Sequence, residues 1–390
     1  MRQKVGDKLL YSFDIFDTLI IRKVYNPAGI FEVMREIMGS RKKEYGLTNE
    51  NIRKFPAIRK MAEENARRYK GKKEITLDDI YAVVQMMTAI PEYYLIKIKE
   101  LEIDIEIKSC DGIEENIKFI EELVSKRERV VLISDMYLPE EIIRKMLVRI
   151  ALVFQNIMIY VSSEYGYTKS SGLLYKIVKE KEQAEYNQWV HYGDNVYSDQ
   201  NIPNVLGITT KAVKMCVLPD WNKKIAYAMR RYWDVNLEIL LGLSKKEDLS
   251  REKHTSAHII GAQLSGPIFY GYIEWIISIS KKKNIKNLYF LARDGYLLKK
   301  MADIIIEEEG LYIRTKYVYS SRKAWKVDDE ENRLKVRSYV NQELEFSEND
   351  FAFVDLQGTG ATMSFLSNII GKPISVFYFY LLEKRKVHKV

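Results

Sequence analysis

Two cysteines in 390 residues, Cys110 and Cys216, are too few for a disulfide framework or a zinc site. Four histidines, His191, His254, His258 and His388, leave no ligand stock for a structural metal cluster. No charged-then-apolar leader with a small-residue cleavage site opens the chain, because Met1 to Lys8 runs straight into a strand pattern. These absences read as a reducing, cytoplasmic protein. A long uninterrupted apolar run is missing as well. The richest stretch, Ile259 to Ser280, carries Gln263, Pro267, Glu274 and several Gly and Ser, so a buried helix is expected rather than a membrane span. Repeats and low-complexity tracts are absent too. With 47% apolar and 30% charged residues, a disordered or fibrous chain is excluded.

What is present begins with length. At roughly 100–200 residues per domain the chain holds about two domains, each able to bury a core. The net charge of +8 invites a nucleic-acid reading, but the excess is spread thinly. Arg and Lys alternate with Asp and Glu along amphipathic stretches such as Ile117 to Arg129. The tight basic clusters, at 41–43, 70–73 and 281–283, read as solvated faces, so no nucleic-acid partner is expected.

Short β-branched and aromatic runs ending in turn chemistry predict strands at 9–13, 130–133, 157–161, 189–192 and 208–213. Helical patterns separate the later ones, as in a doubly wound α/β sheet. The interval from Arg22 to Lys108 breaks that rhythm. It is helical throughout, and Thr76-Leu-Asp-Asp79 before an apolar run predicts a capping box. The expected organisation is a core of residues 1–22 and 109–215, a helical cap of 23–108, a helical connector of 216–257, and a smaller α/β domain of 258–390. Strands of the second domain are predicted at 288–291, 317–319, 351–354 and 374–380. The basic tail 383–390 follows its strand so closely that this domain is expected to be incomplete in the chain.

In an open parallel sheet a ligand sits at the carboxyl ends of the strands. The first strand ends in Ser12-Phe-Asp14-Ile-Phe16-Asp17-Thr18, and a later one in Ser134-Asp135. Lys169 lies in Gly166-Tyr-Thr-Lys-Ser-Ser-Gly172, before a helical pattern. Another strand ends in His191-Tyr-Gly-Asp194-Asn-Val-Tyr-Ser-Asp199. A carboxylate can attack phosphorus and form an aspartyl-phosphate, while a hydroxyl and an ammonium hold the transferring oxygens. Paired acids beside the nucleophile offer Mg²⁺ the hard oxygen ligands it prefers.

Together these four strand ends resemble the motifs of the haloacid dehalogenase (HAD) superfamily, over about residues 8–215. The resemblance implies an α/β fold, a Rossmann-like core with a helical type-1 cap inserted after the first strand, beside the second, smaller α/β domain. It implies Asp14 as nucleophile, Ser134 and Lys169 as phosphoryl-binding groups, and Asp194 and Asp199 as the acidic fourth motif. Mg²⁺ is the implied cofactor, held by Asp14, the Phe16 backbone, Asp194 and Asp199, with a small phosphorylated metabolite as substrate. Phosphatases of this superfamily carry a second aspartate two residues after the nucleophile. Here that position is Phe16, and the acid appears one place later as Asp17. Either Asp17 supplies the proton, or the step is lost and the domain is a binding or regulatory module. Dehalogenases of the superfamily also put an aromatic there, but they do not need the metal that the acidic pair points to. The wider phrasing resembles bacterial HAD hydrolases that accompany glycosyltransferases in polysaccharide clusters, which implies a pathway partner of that kind.

A second constellation lies further on. The strand Phe351 to Asp355 runs through Gly358-Thr359-Gly360-Ala361-Thr362 into a helical pattern. A Gly and Thr loop at a strand-to-helix junction aims N–H groups and hydroxyls at one spot, a ready anion site. Asp355, Thr359, Gly360 and Thr362 weakly resemble the phosphate loop of type I phosphoribosyltransferases, with Val354 in place of the first acid of the usual pair. Arg293-Asp294 and Ser321-Arg322, each after a strand, could form further lips of one site, although Arg293 and Asp294 read equally as a structural ion pair.

Overall fold

The apolar runs of the first half pair side by side in the computed structural model, which describes residues 8–71, 73–213, 223–224, 227, 234–249, 255–321, 324–325, 329–345 and 350–382. Part of the expected connector, with Cys216, lies outside the described residues, as does Arg322. The chain divides into two compact units, Met1–Gln263 and Leu264–Val390.

In the first unit, strands β1 (Leu10–Phe13), β4 (Arg129–Ser134), β5 (Met158–Val161), β6 (Trp189–Gly193) and β7 (Thr209–Ala212) form one sheet in the order β5-β4-β1-β6-β7. All four pairings are parallel. Parallel strands are covered on both faces, which is why they read as nearly continuous apolar runs. One face packs Leu10, Val131, Ile133 and Tyr160 on Leu174, Tyr175 and Val178 of a following helix. The opposite face packs Phe13, Leu132 and Ile159 on Ile117, Ile120, Ile143 and Leu147. Register sets Ser12 of β1 beside His191 of β6 and Val131 of β4.

The insert is helical as expected. Helices α1 (Gly29–Ser40), α2 (Asn49–Lys70), α3 (Leu77–Thr88) and α4 (Glu92–Ser109) fill it. It leaves and rejoins the sheet through a pair absent from the sequence expectations, β2 (Ile20–Arg22) antiparallel to β3 (Cys110–Gly112). The capping box forms: Thr76 Oγ1 accepts from the Asp79 N–H at 3.2 Å, and Asp79 accepts from the Thr76 N–H at 2.8 Å. A Thr76→Ala change is expected to cost about 1 kcal/mol, read as loss of hydrogen-exchange protection across 77–88.

Helix α5 (Val235–Leu249) packs against the root of the insert. A Cβ on Gly242 would lie 2.3 Å from the Val24 backbone nitrogen, so this close approach requires glycine. Glu238, buried on the same helix, accepts from the Asn26 N–H at 3.2 Å.

The second unit is a four-stranded parallel sheet, β11-β10-β8-β9, built from β8 (Asn287–Leu291), β9 (Arg314–Val318), β10 (Phe351–Gly358) and β11 (Val376–Leu381). Helices α6 (Gly266–Lys283) and α7 (Gly295–Glu308) cover Leu288, Phe290, Ala352 and Val354. Helices α8 (Glu330–Glu343) and α9 (Ala361–Ile370) cover Tyr289, Phe351 and Phe353 on the other face. Strand β10 runs to Gly358, beyond the expected 351–354, because β11 continues to pair with it after β8 has turned away. Among the described residues no helix is long and apolar enough to cross a membrane.

Candidate active site

Asp14 follows β1 directly, and its N–H still donates to the Tyr192 carbonyl of β6 at 2.8 Å. That bond fixes the carboxylate at the carboxyl end of the sheet. Ser134, 1% exposed, ends β4 at the same edge. Lys169 stands in the loop before the helix Leu173–Glu182, not inside it. Its backbone N–H donates to Asp135 Oδ1 at 2.7 Å, so the residue after Ser134 positions the loop that carries the lysine.

The Lys169 ammonium, 3% exposed, bonds Asp14 Oδ1 and lies 2.6 Å from Asp199 Oδ1. Asp199 sits on a single π-helical turn, Val196–Asn201, that curls back toward Gly193. Gly193 is required for this approach, since a Cβ there would fall 2.5 Å from Asp199 Cβ. The second Asp199 oxygen accepts from the Asn195 N–H at 3.2 Å.

Behind this pair runs a buried polar chain that sequence reasoning did not assign. Trp189 Nε1 donates to Ser12 Oγ at 2.6 Å, Ser12 Oγ lies 2.7 Å from His191 Nδ1, and His191 Nε2 lies 3.3 Å from Asp199 Oδ1. Burial holds His191 below the usual histidine range, against the pull of Asp199. A neutral ring satisfies every partner in one way: Ser12 donates to Nδ1 and Nε2–H donates to Asp199. The available signal was polar Ser12 and His191 at inward positions of otherwise apolar strands.

Burial pushes the Asp14 carboxyl up to about 7, opposed by Lys169 and reinforced by Asp199 and Asp194. Although burial alone would raise it, the His191 hydrogen bond and the Lys169 charge hold Asp199 well below the carboxylate range. Burial also opposes the charge on Lys169, but Asp14 and Asp199 outweigh it and hold the ammonium protonated. Asp194 is raised by burial and by the charges of Asp17 and Asp199.

Asp14, Asp194 and Asp199 each offer an oxygen, and these oxygens lie within 4.8 Å of one another. Burial, reinforced by neighbouring carboxylates, raises Asp14 and Asp194, and a bound cation would offset both effects. The donor set therefore fits a hard divalent cation. Asp199 is the least available ligand, since both of its oxygens already accept hydrogen bonds.

The side chains of Asp17 and Phe16 find partners outside that cluster. Asp17 has φ of 57°, donates its N–H to the Ile20 carbonyl, and pairs its carboxylate with Lys245 of α5 at 2.9 Å. The Phe16 ring lies under the Arg22 guanidinium, 4.2 Å from its centroid. Thr18 Oγ1 donates to Asp194 Oδ1 at 3.4 Å. Beside Asp135 a cavity of about 650 Å³ opens, lined by Arg22, Asn26, Phe31, Arg67, Met136 and Tyr137 among others. Asp355, Thr359, Gly360 and Thr362 lie in the second unit and line a separate cavity.

No protein-family profile matches the chain, and no curated protein matches it in sequence. Among solved structures it is similar to a HAD family enzyme of Bacteroides thetaiotaomicron in complex with magnesium and inorganic phosphate, at 14% identity and a TM-score of 0.37, over 53% of this chain and 95% of that one. It is also similar to a 2-haloacid dehalogenase of Pseudomonas syringae pv. Tomato, at 13% identity and a TM-score of 0.38, over 58% and all of that chain. A HAD family hydrolase of Deinococcus radiodurans with bound phosphate and sodium shares 15% identity at a TM-score of 0.29, over 53% and 80%.

Proposed function

We propose that the first unit is a HAD-like, Mg²⁺-dependent hydrolase of a phosphate monoester on a small metabolite, working through an aspartyl-phosphate. The observation that carries this reading is the buried Asp14–Lys169–Asp199 cluster at the sheet's carboxyl edge. Asp14 attacks phosphorus and the leaving oxygen departs with its electron pair. Lys169 and the Ser134 hydroxyl bind phosphoryl oxygens as charge develops on them. Asp199, anchored through His191, Ser12 and Trp189, holds the ammonium where it serves both carboxylates. Water then attacks the phosphorus of the acyl phosphate, which restores Asp14 and frees phosphate. Asp14, Asp194 and the Phe16 carbonyl would hold Mg²⁺, which when bound neutralises charge on the phosphoryl group. Residues 23–108 act as the cap, and the cavity lined by Arg22, Phe31 and Tyr137 receives the part of the substrate beyond the phosphate.

A second reading is a non-catalytic module on the same frame. The Asp17–Lys245 ion pair favours it, because a carboxylate held by an ammonium is a poor proton shuttle. A screen of sugar phosphates and nucleotides with and without Mg²⁺ separates the two. Metal-dependent phosphate release supports the hydrolase; binding without release supports the module.

The metal proposal has its own test. Asp14 must surrender the proton it holds up to about pH 7, so Mg²⁺ affinity is expected to rise with pH up to about 7–8 and then level off. Calorimetry in buffers of different ionisation enthalpy should detect proton release on binding at pH 6.5, and Asp194→Asn should weaken the binding. Affinity that is flat between pH 5.5 and 8 would refute Asp14 as a ligand.

A further inference from the structure

An alkoxide leaves phosphorus poorly unless a proton reaches it as the P–O bond breaks. The two residues after Ile15 are poor sources of that proton. Phe16 has none to give, and its ring centroid lies 4.2 Å from the Arg22 guanidinium. Asp17 gives its carboxylate to Lys245 at 2.9 Å. Four other acids, Glu63, Glu64, Asp135 and Glu238, line the cavity of about 650 Å³ that would receive the leaving group. Glu63 is held by Arg59 and Arg67, Glu238 accepts from the Asn26 N–H, and Glu64 is exposed on α2. Asp135 is the one that directly follows Ser134.

Register brings Asp135 to the site. Phe13 of β1 lies opposite Leu132 of β4, so Asp14 and Ser134-Asp135 leave the sheet at the same edge. Lys169 spans the two, since its ammonium bonds Asp14 and its backbone N–H donates to Asp135 Oδ1 at 2.7 Å. The loop that carries Asp135 is pinned further on. The Met136 N–H donates to Ser162 Oγ at 2.9 Å, and the Tyr137 carbonyl accepts from the Leu77 N–H at 2.9 Å. Asp135 Oδ2 makes no hydrogen bond or ion pair among the described residues, and the half-buried side chain borders the cavity. One oxygen is thus anchored and the other is left for a ligand. Burial raises the carboxyl above its ordinary value against the charge and N–H of Lys169, and Glu74 and Asp199 reinforce the rise. A carboxyl so placed keeps a proton to give.

We propose that Asp135 is the acid and base of the hydrolase, a role that rests on the phosphate-ester reading above. As Asp14 attacks phosphorus and the P–O bond breaks, Asp135 gives its proton to the departing oxygen, which leaves as an alcohol. As water attacks in the second step, the P–O bond to Asp14 breaks and the Asp135 carboxylate takes a proton from the water. The test compares kcat/KM, which reports the first transfer, for the full chain with Mg²⁺ on two esters. Benzyl phosphate releases an alkoxide that needs the proton; para-nitrophenyl phosphate releases a phenolate that does not. Asp135→Asn keeps a carbonyl oxygen for the Lys169 N–H but has no proton to give. It should lose about 10²–10⁴-fold on benzyl phosphate, and its loss on para-nitrophenyl phosphate should be smaller by at least about 10-fold. Circular dichroism of each variant confirms that it is folded. A residue that only positions the Lys169 loop would affect both esters alike, so equal losses, or none, overturn the assignment. The ester-dependent loss appearing in Asp17→Asn overturns it too. Asp14→Asn separates the two levels. Turnover that survives in Asp14→Asn removes the hydrolase reading itself, whereas turnover lost there, with equal losses in Asp135→Asn, removes Asp135 alone. A wild type silent on both esters removes both.

Discussion

An Asp14→Asn chain is expected to release phosphate from an aryl or sugar phosphate at least about 10⁴-fold more slowly than wild type. The carboxamide has the shape of the carboxylate but cannot form an acyl phosphate, so the first half-reaction has no substitute route. The same change should not harm the fold, and the sign of the linkage says why. Asp14 titrates near 7 in the native state, against an ordinary value of 3.8. The native state therefore holds a proton that the unfolded chain releases, and stability is lost as pH rises from about 4 through 7. A neutral Asn escapes that loss. In EDTA at pH 8 the variant should melt at or above the wild-type temperature while losing turnover. Metal-dependent turnover that persists in the variant would rule out the nucleophile, and a lowered melting point would rule out the titration argument. Asp17→Asn then tests the proton step: a loss of about 10²–10⁴-fold would make Asp17 the acid and base despite Lys245.

The strand ends were legible because they obey a local rule. A buried parallel strand is an apolar run, and the first polar residues beyond it sit at the edge where a ligand binds. Asp14, Ser134 and Asp194 could be found that way, Lys169 stood out in a turn-rich loop before a helical pattern, and the structure brings Asp14, Lys169, Asp194 and Asp199 to one edge. The unread parts depend on partners far apart in sequence. Lys245 reaches Asp17 across 228 positions, and nothing near either residue announces the other. Strands β2 and β3 are three residues each, too short for periodicity, and exist because their partner lies across the whole insert. His191 was visible as a residue, but its role depends on Ser12 lying opposite it in register. Arg59 was the least legible of all. In Ile58-Arg-Lys-Met-Ala-Glu-Glu-Asn65 it looks like any solvated charge on a helix, yet it is fully buried.

That arginine carries the largest stability effect expected in the first unit. Arg59 of α2 donates twice to Glu102 of α4, at 2.9 and 2.7 Å, and once to Glu63 at 3.3 Å. Tyr81 of α3 donates to the same Glu102 at 2.8 Å. The guanidinium also stacks on Phe31 of α1 at 4.6 Å and on Tyr137, beyond β4, at 5.1 Å. One side chain thereby ties four helices of the insert to the loop that follows Ser134. Arg59→Met keeps much of the volume and removes the charge, leaving the Glu102 carboxylate buried with Tyr81 as its remaining donor of those named. Breaking a buried pair from one side costs about 3–5 kcal/mol, whereas replacing both partners with apolar groups is often near neutral. The double variant Arg59→Met, Glu102→Leu should therefore recover most of what the single one loses. Hydrogen exchange over residues 49–109 reads the effect locally, without assuming that both units unfold together. A single-variant loss below about 1 kcal/mol would place this pair with ordinary surface ion pairs. A double variant as damaged as the single one would show that the charge itself, and not the unpaired partner, holds the insert in shape.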